Sequence, residues 1–529
     1  MFLKLKKFSS STLSAVVATT LLATSLPTIS HAANLKIALA ADVNSMDPHY
    51  FNSGPNNAMA SHLFEALVSV DSDGRVAPGL ALSWKAINPT TWEFKLRPGV
   101  KFHDGSEMTA EDVVFSLDRP AQIKNSPGPY TSFTKQILSK QIVDPYTLRL
   151  KTLTAYGPLP LDMSSIFIVS RKAAQQASTD DFNSGKATIG TGPYKFAAFK
   201  RGDAVELTKN DAYWGEKSAW DKVTFRIITA GAPRMAALLS GDVDAIESIP
   251  PADLSKLKSN AKFKLEQKIS WRTLFWQLDH QARVSPYITD KAGKPLATNP
   301  LKDIRVRKAI AKAINRTALT ERILEGLAVP ASNLVGPGVF GYNDSLKVEA
   351  YDPEGAKKLL AEAGYPNGFA ITLHGPNNRY INDEQIVQTV AQFLSKIGIQ
   401  AKVETQPLAV YFPKASKGDY SMALLGWGSL AGDFALRTTL GSVNAENGWG
   451  SWNWGKYSNR ALDEAIQSSL ASVEADKREG FAKTAMATAL QDYAAIPLHH
   501  QYASWAMRKG LHYKARTDEF TFAHQFKPD

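Results

Sequence analysis

The chain has no cysteine among its 529 residues. That removes disulfides, thiolate metal ligands, thiol nucleophiles and Cys-x-x-Cys redox chemistry together. It also removes the side chain that a lipid anchor on a processed N-terminus would need, so no such anchor is expected. Long apolar runs are missing too. Leu13 to Leu26 is the nearest approach, and it mixes apolar with small residues over fewer than the ~20 positions a membrane span needs. Clustered charge of one sign is absent as well. The formal net charge is +11, but Lys4, Lys6 and Lys7 stand before that apolar run, and without them 58 basic residues face 50 acidic ones, a net +8. The remaining charges are interspersed, where a nucleic-acid binder shows a basic tract or stripe. No nucleic-acid partner is expected.

Enzyme signatures are equally scarce. There is no His-Glu-x-x-His and no Gly-x-Ser-x-Gly. Ser-x-x-Lys spacing occurs at Ser132/Lys135, Ser255/Lys258 and Ser259/Lys262, but no Ser-Asp-Asn or Lys-Thr-Gly accompanies it. No catalytic residue is assigned; the chain is read as a non-enzyme, with a hydrolase as the remote alternative. No internal repeat and no low-complexity tract is found.

What is present is a globular composition, 44% hydrophobic and 21% charged. The length is too great for one core and suggests roughly three structural units. Residues 1–32 read as a secretory signal peptide: a lysine-rich start, an apolar middle, and Ser30-His31-Ala32 with small residues at both cleavage-determining positions. Export to a periplasm with cleavage near Ala32 is the expectation.

Period-2 alternation of Trp92, Phe94 and Leu96 with Glu93, Lys95 and Arg97 predicts a half-buried strand. Pro98-Gly99 and Asp104-Gly105 turn the chain, and Thr109 with Asp112 can cap a helix that buries Val113, Val114 and Leu117. Other predicted strands are Leu35 to Ala40, Val143 to Leu150, Ser165 to Ser170, Val223 to Ile228, Leu274 to Leu278, Ala370 to Leu373, Ile399 to Glu404 and Met422 to Leu425. Predicted helices are Ala58 to Val68, Ala232 to Leu239, Ile304 to Leu324, Glu354 to Ala363 and Asp383 to Lys396, with two in tandem over Ala461 to Tyr493. Such alternation predicts α/β architecture with mixed sheets and helices on both faces.

The stretch Thr91 to Arg119, TWEFKLRPGVKFHDGSEMTAEDVVFSLDR, carries a resemblance. So do Asp47-Pro48-His49, Leu63-Phe64-Glu65 followed by VDSDGRVAPGLALSW, the YWG at Tyr213 and the GDVDA at Gly241. Together they resemble the family 5 extracellular solute-binding proteins, the dipeptide- and oligopeptide-binding components of bacterial ABC importers. The resemblance implies a two-lobed periplasmic-binding-protein fold (type II, cluster C) with an extra subdomain on the first lobe. Residues 33–64, 188–275 and 495–529 would form the first lobe, 65–187 the extra subdomain and 276–494 the second lobe. It further implies a monomer that closes over a small-molecule or peptide ligand and docks on an inner-membrane ABC permease with its ATPase.

Ligands of open α/β sheets sit at loops on strand ends. Three loops qualify. Asp47 to Asn52 carries His49 and Tyr50. Gly375 to Asp383 carries Arg379 and Tyr380 before a helix start, where an anion is favoured and arginine can add a bidentate carboxylate contact. Gly426 to Asp433 offers Gly426 and Gly428 for close backbone approach, with Trp427 as an apolar wall. In peptide-binding relatives the fifth position from that first glycine is an aspartate holding the peptide's free amine. Here it is Leu430, and Asp433 is the nearest replacement. Short peptides or similar carboxylate-bearing solutes are thus the expected ligands, with no cofactor. The alternative is nickel as a chelate, with His49, His499 and His500 as metal ligands, since imidazole suits that ion.

Overall fold

The computed structural model describes residues 1, 2, 5, 33–281 and 283–529. The reading of 1–32 as a signal peptide rests on positions outside these. The spine is a pair of long antiparallel strands, Phe263–Leu278 and Ala495–Arg508. At one end Ala245–Glu247 pairs with Trp505 to Met507 and continues the sheet through Asn34–Leu39, Lys222–Ile227, Ala204–Lys209 and Tyr194–Lys200. At the other end Met422–Gly428 pairs with Arg272 to Leu278, and Ala370–Pro376 and Gln400–Gln406 follow. Parallel pairs on both sides, such as Asn34–Leu39 with Lys222–Ile227, mix with antiparallel ones. The two halves of the molecule thus share two continuous strands and have separate cores. Ile37, Val205, Phe225 and Trp505 belong to one, and Trp276, Ile310, Leu373 and Val390 to the other.

A third core lies under a four-stranded antiparallel sheet of Ala81–Asn88, Thr91–Leu96, Thr147–Thr152 and Ile137–Asp144. Trp92, Phe94 and Leu96 point into it as their alternation requires, and the helix Ala110–Asp118 covers it. The Asp112 carboxylate accepts the Thr109 N–H at 3.0 Å, closing the predicted cap.

Three predicted elements differ. Val143 to Leu150 is a hairpin, because Asp144 Oδ1 accepts the Tyr146 N–H at 2.8 Å and Pro145 turns the chain between two strands. The helix expected from Ala58 is Gly54–Leu63, and the chain extends at Phe64 into short strands. The long helix expected over Ile304 to Leu324 stops at Ala313. Ile314 is extended, and the Asn315 side chain caps a new turn by accepting the Ala318 N–H at 2.9 Å.

The chain leaves the extra sheet through Thr188 to Phe196, and two glycines there pass directly against backbone. A Cβ on Gly190 would lie 1.9 Å from the Leu63 carbonyl oxygen, and one on Gly192 would lie 2.6 Å from that of His62. Neither oxygen ends a movable side chain. Gly190→Ala is therefore expected to destabilise the fold by about 1–3 kcal/mol. A urea midpoint equal to wild type would show that this crossing can slide apart.

Candidate functional site

The pairing of the two long strands breaks where they pass between the halves. Ile269 opposes Tyr502 and Thr273 opposes His500, so Ser270, Trp271 and Arg272 face Gln501 alone. A bulge of this kind re-aims side chains out of the ladder. Here Trp271, Arg272, Gln501 and Tyr502 all line one cavity of about 560 Å³. The size lies within the range of about 300–1,000 Å³ common for small-molecule sites. One wall comes from the first core's sheet and the start of the helix Gly54–Leu63, the opposite one from Asn378 to Ile381, and the C-terminal segment from Asp518 to Thr521 adds polar groups.

Arg379 sits in the loop that enters the helix Asp383–Ser395. Asp383 holds that loop, accepting the N–H groups of Arg379 at 2.8 Å and Tyr380 at 3.0 Å. The Arg379 guanidinium stands 5.4 Å from the centre of the Tyr380 ring, with no carboxylate within 4 Å among the described residues. Surrounding walls strip water from it and Arg272 repels it, so its pKa lies below the ordinary guanidinium value. Arg272 itself is matched. Its Nη2 donates to Glu519 Oε2 at 2.7 Å and its Nε to Oε1 at 3.2 Å. Burial pushes the Glu519 carboxyl up, but Arg272 beside it more than offsets this and holds it below its usual range. His62, on the cavity's inner wall, spends both nitrogens: Nδ1 on the Met59 carbonyl at 3.3 Å and Nε2 as acceptor of the Ala523 N–H at 3.0 Å. Burial lowers its pKa to about 4, so it is neutral at pH 7.

Of the residues singled out from the sequence, Arg379 and Tyr380 line the cavity and the others do not. His49 is fully buried, donating from Nε2 to the Phe167 carbonyl at 2.8 Å while Nδ1 faces Arg119 at 3.3 Å. Its loop is pinned by Arg119, whose two terminal nitrogens bind the Asp47 carboxylate at 2.7 and 2.8 Å. Tyr50 is tied by its carbonyl to Ser126 Oγ at 2.5 Å, outside the cavity lining.

Gly426 and Gly428 lie directly against protein side chains. A Cβ on Gly426 would meet the Tyr380 ring at 2.6 Å, and one on Gly428 the Trp271 indole at 2.9 Å. The Tyr380 hydroxyl also accepts the Gly426 N–H at 2.9 Å. The two glycines thus let the cavity's aromatic walls close onto the strand. Trp427, between them, points to the opposite face as strand geometry demands and packs 5.3 Å from Trp452 and 6.5 Å from Phe434. Asp433 is fully buried and bound by Arg478 and Ser469, so it has no reach into the cavity.

His499 and His500 are both buried within their strand. His500 Nδ1 meets Thr273 Oγ1 at 2.8 Å. Burial lowers their pKa values to about 3 and about 4. Neither lines the cavity, and no group of three or more His, Cys, Asp or Glu arranged to hold a metal ion occurs among the described residues.

The sequence reading missed Trp271, Arg272, Glu247 and Glu519. The only local signal for the first two was an Arg beside a Trp in an otherwise alternating strand. Glu519 adopts a left-handed backbone, φ 64°.

Comparison with known proteins gives a consistent pattern. The sequence profile of bacterial extracellular solute-binding proteins, family 5 Middle, matches residues 75–446, well over half the chain. The dipeptide-binding protein of Escherichia coli is 28% identical over 502 residues, covering 88% of each chain. Heme-binding protein A of Haemophilus influenzae is 27% identical over 476 residues, covering 84% of this chain and 82% of that one. Among solved structures, the ABC transporter-associated periplasmic binding protein DppA from Helicobacter pylori, in complex with the peptide STSA, superposes with a TM-score of 0.75 at 25% identity. That alignment covers 94% of this chain and 98% of the other.

Proposed function

The chain belongs to the family 5 bacterial extracellular solute-binding proteins, and we propose that it captures short peptides or similar small carboxylate-bearing solutes for an ABC importer. Its two lobes close over the solute and the closed form delivers it to the inner-membrane permease and its ATPase. The protein acts as a monomer in the periplasm, released from a leader cleaved near Ala32. No helix among the described residues is long and apolar enough to cross a membrane.

The observation that carries the ligand class is Arg379. It is a guanidinium without a carboxylate partner among the described residues, set in a polar and aromatic cavity between the two cores. A planar fork of donors matches a carboxylate in two hydrogen bonds. Trp271, Tyr380, Tyr502 and Phe520 supply apolar wall for side chains, and Trp271 Nε1 has no hydrogen-bond partner among the described residues. A solute gripped by Arg379 from one half and by the C-terminal segment from the other binds the closed state better than the open one, which is what drives closure.

Nickel-chelate uptake fits less well. Arg379 could hold a chelator's carboxylate, but His49, His499 and His500 are spent or enclosed elsewhere, and His62 is bonded at both nitrogens. The deciding experiment is calorimetry with a panel of di- and tripeptides beside Ni²⁺ with and without free histidine. Saturable heat is expected with peptides and without their turnover. Heat with the nickel–histidine arm alone would reverse the assignment, and hydrolysis of a bound peptide would replace it.

A further inference from the structure

Six side chains of acidic or basic type, apart from tyrosine, line the cavity, and most are already balanced. His62 is neutral for the reasons given. Arg272 is matched by Glu519, and Asp518 accepts Arg516 Nε at 3.0 Å. Among the described residues this leaves Arg379 on one wall and Glu247 on the other.

Glu247 closes the strand Ala245–Glu247, which is fixed between Asn34–Leu39 and Ala495–Arg508 in the first half of the sheet. No Lys, Arg or His nitrogen lies within 4 Å of its carboxylate among the described residues. The nearest arginine, Arg234, is committed to backbone carbonyls. Its Nε donates to that of Glu247 at 3.0 Å, Nη1 to those of Ile228 at 2.8 Å and Thr229 at 2.9 Å, and Nη2 to that of Ser248 at 2.7 Å. Among the described residues the carboxylate receives only neutral donors, the Ala40 N–H at 2.9 Å and the Thr521 hydroxyl. Burial pushes its pKa up, and the charge of Arg234 offsets this only in part.

We infer that Glu247 is a specificity residue that receives a cationic group of the solute, a primary ammonium, while Arg379 receives its carboxylate, so that the preferred ligands are zwitterions with the two charges well apart. This rests on the reading of the cavity as a site for carboxylate-bearing solutes. Asp433, the acid that follows Trp427 in sequence, is committed to Arg478 and is not free to take that role. The consequence is mechanical: a purely anionic solute satisfies one wall, whereas a zwitterion satisfies both and draws them together.

The test takes the tightest-binding free peptide of the panel and its N-acetylated form, titrated into wild type and into Glu247→Gln. In wild type the free peptide is expected to bind about tenfold or more tightly than the acetylated one. Glu247→Gln should erase that difference by weakening the free peptide alone. Glutamine keeps the shape and can still accept the Ala40 N–H, and an unchanged melting temperature checks that the fold is retained. Affinities within twofold for the two forms in wild type would overturn the proposal without any variant, and so would a Gln variant that discriminates as wild type does. Absence of binding by every peptide would overturn the carboxylate-solute reading itself, and this inference with it.

Discussion

Arg379→Ala is expected to weaken binding of a free-carboxylate peptide by about tenfold to a hundredfold while leaving the melting temperature nearly unchanged. A hydrogen bond between charged groups contributes about 1.5–3 kcal/mol net, and each 1.4 kcal/mol is a factor of about ten in affinity. The stability half of the expectation comes from what Arg379 lacks. Among the described residues its side chain makes no ion pair, and its loop is held through backbone N–H groups by Asp383, which alanine leaves in place. Removing it also relieves repulsion from Arg272. Changes that break no ion pair, cap or packed core contact usually stay within about 0.5 kcal/mol. The same peptide with its C-terminus amidated should bind wild type and variant alike. Affinity within twofold of wild type for the free acid would place the carboxylate elsewhere, and Arg272 would then be the first group to examine.

Local chemistry made much of the fold legible. Alternation identified Thr91–Leu96 and its buried face, and the Thr109/Asp112 cap placed the following helix. Misread elements came from local signals given too little weight. Pro145 behind Asp144 marks a turn, and Asn315 marks a helix start in the middle of a run whose apolar spacing continues regardless. The site was harder for a different reason. Arg379 and Tyr380 precede a helix and could be found from that position. Trp271 and Arg272 reach the cavity because two strands more than 200 residues apart in sequence lose register at Gln501, and no window of sequence contains both strands. The histidines show the converse error. His49 looks available in an outward loop, yet the carbonyl and guanidinium that enclose it come from Phe167 and Arg119. A polar residue on a loop is a candidate ligand until its distant partners are known. Asp433 has distant partners of the same kind, and it gives the clearest test of the difference.

If Asp433 held a ligand's amine, Asp433→Ala would lower affinity and spare stability. The structure requires the reverse. The carboxylate is inaccessible and accepts Arg478 Nε at 2.9 Å, Arg478 Nη2 at 3.2 Å, Ser469 Oγ at 2.9 Å and the Phe434 N–H at 2.8 Å. The Arg478 side chain is itself largely buried, its guanidinium 4.4 Å from the centre of the Phe340 ring. Alanine at 433 would leave that cation uncompensated in low dielectric and remove the acceptor of all four hydrogen bonds. Breaking a buried pair from one side costs about 3–5 kcal/mol, so chemical denaturation should show a loss of that order. Removing the stranded charge as well should restore part of it, because the penalty lies in the unpaired ion more than in the lost attraction. Asp433→Ala combined with Arg478→Met is therefore expected to be more stable than Asp433→Ala alone. Peptide affinity, measured where each variant is folded, should stay within twofold of wild type. A tenfold loss of affinity with stability preserved would return Asp433 to the binding site and displace Glu247 from it.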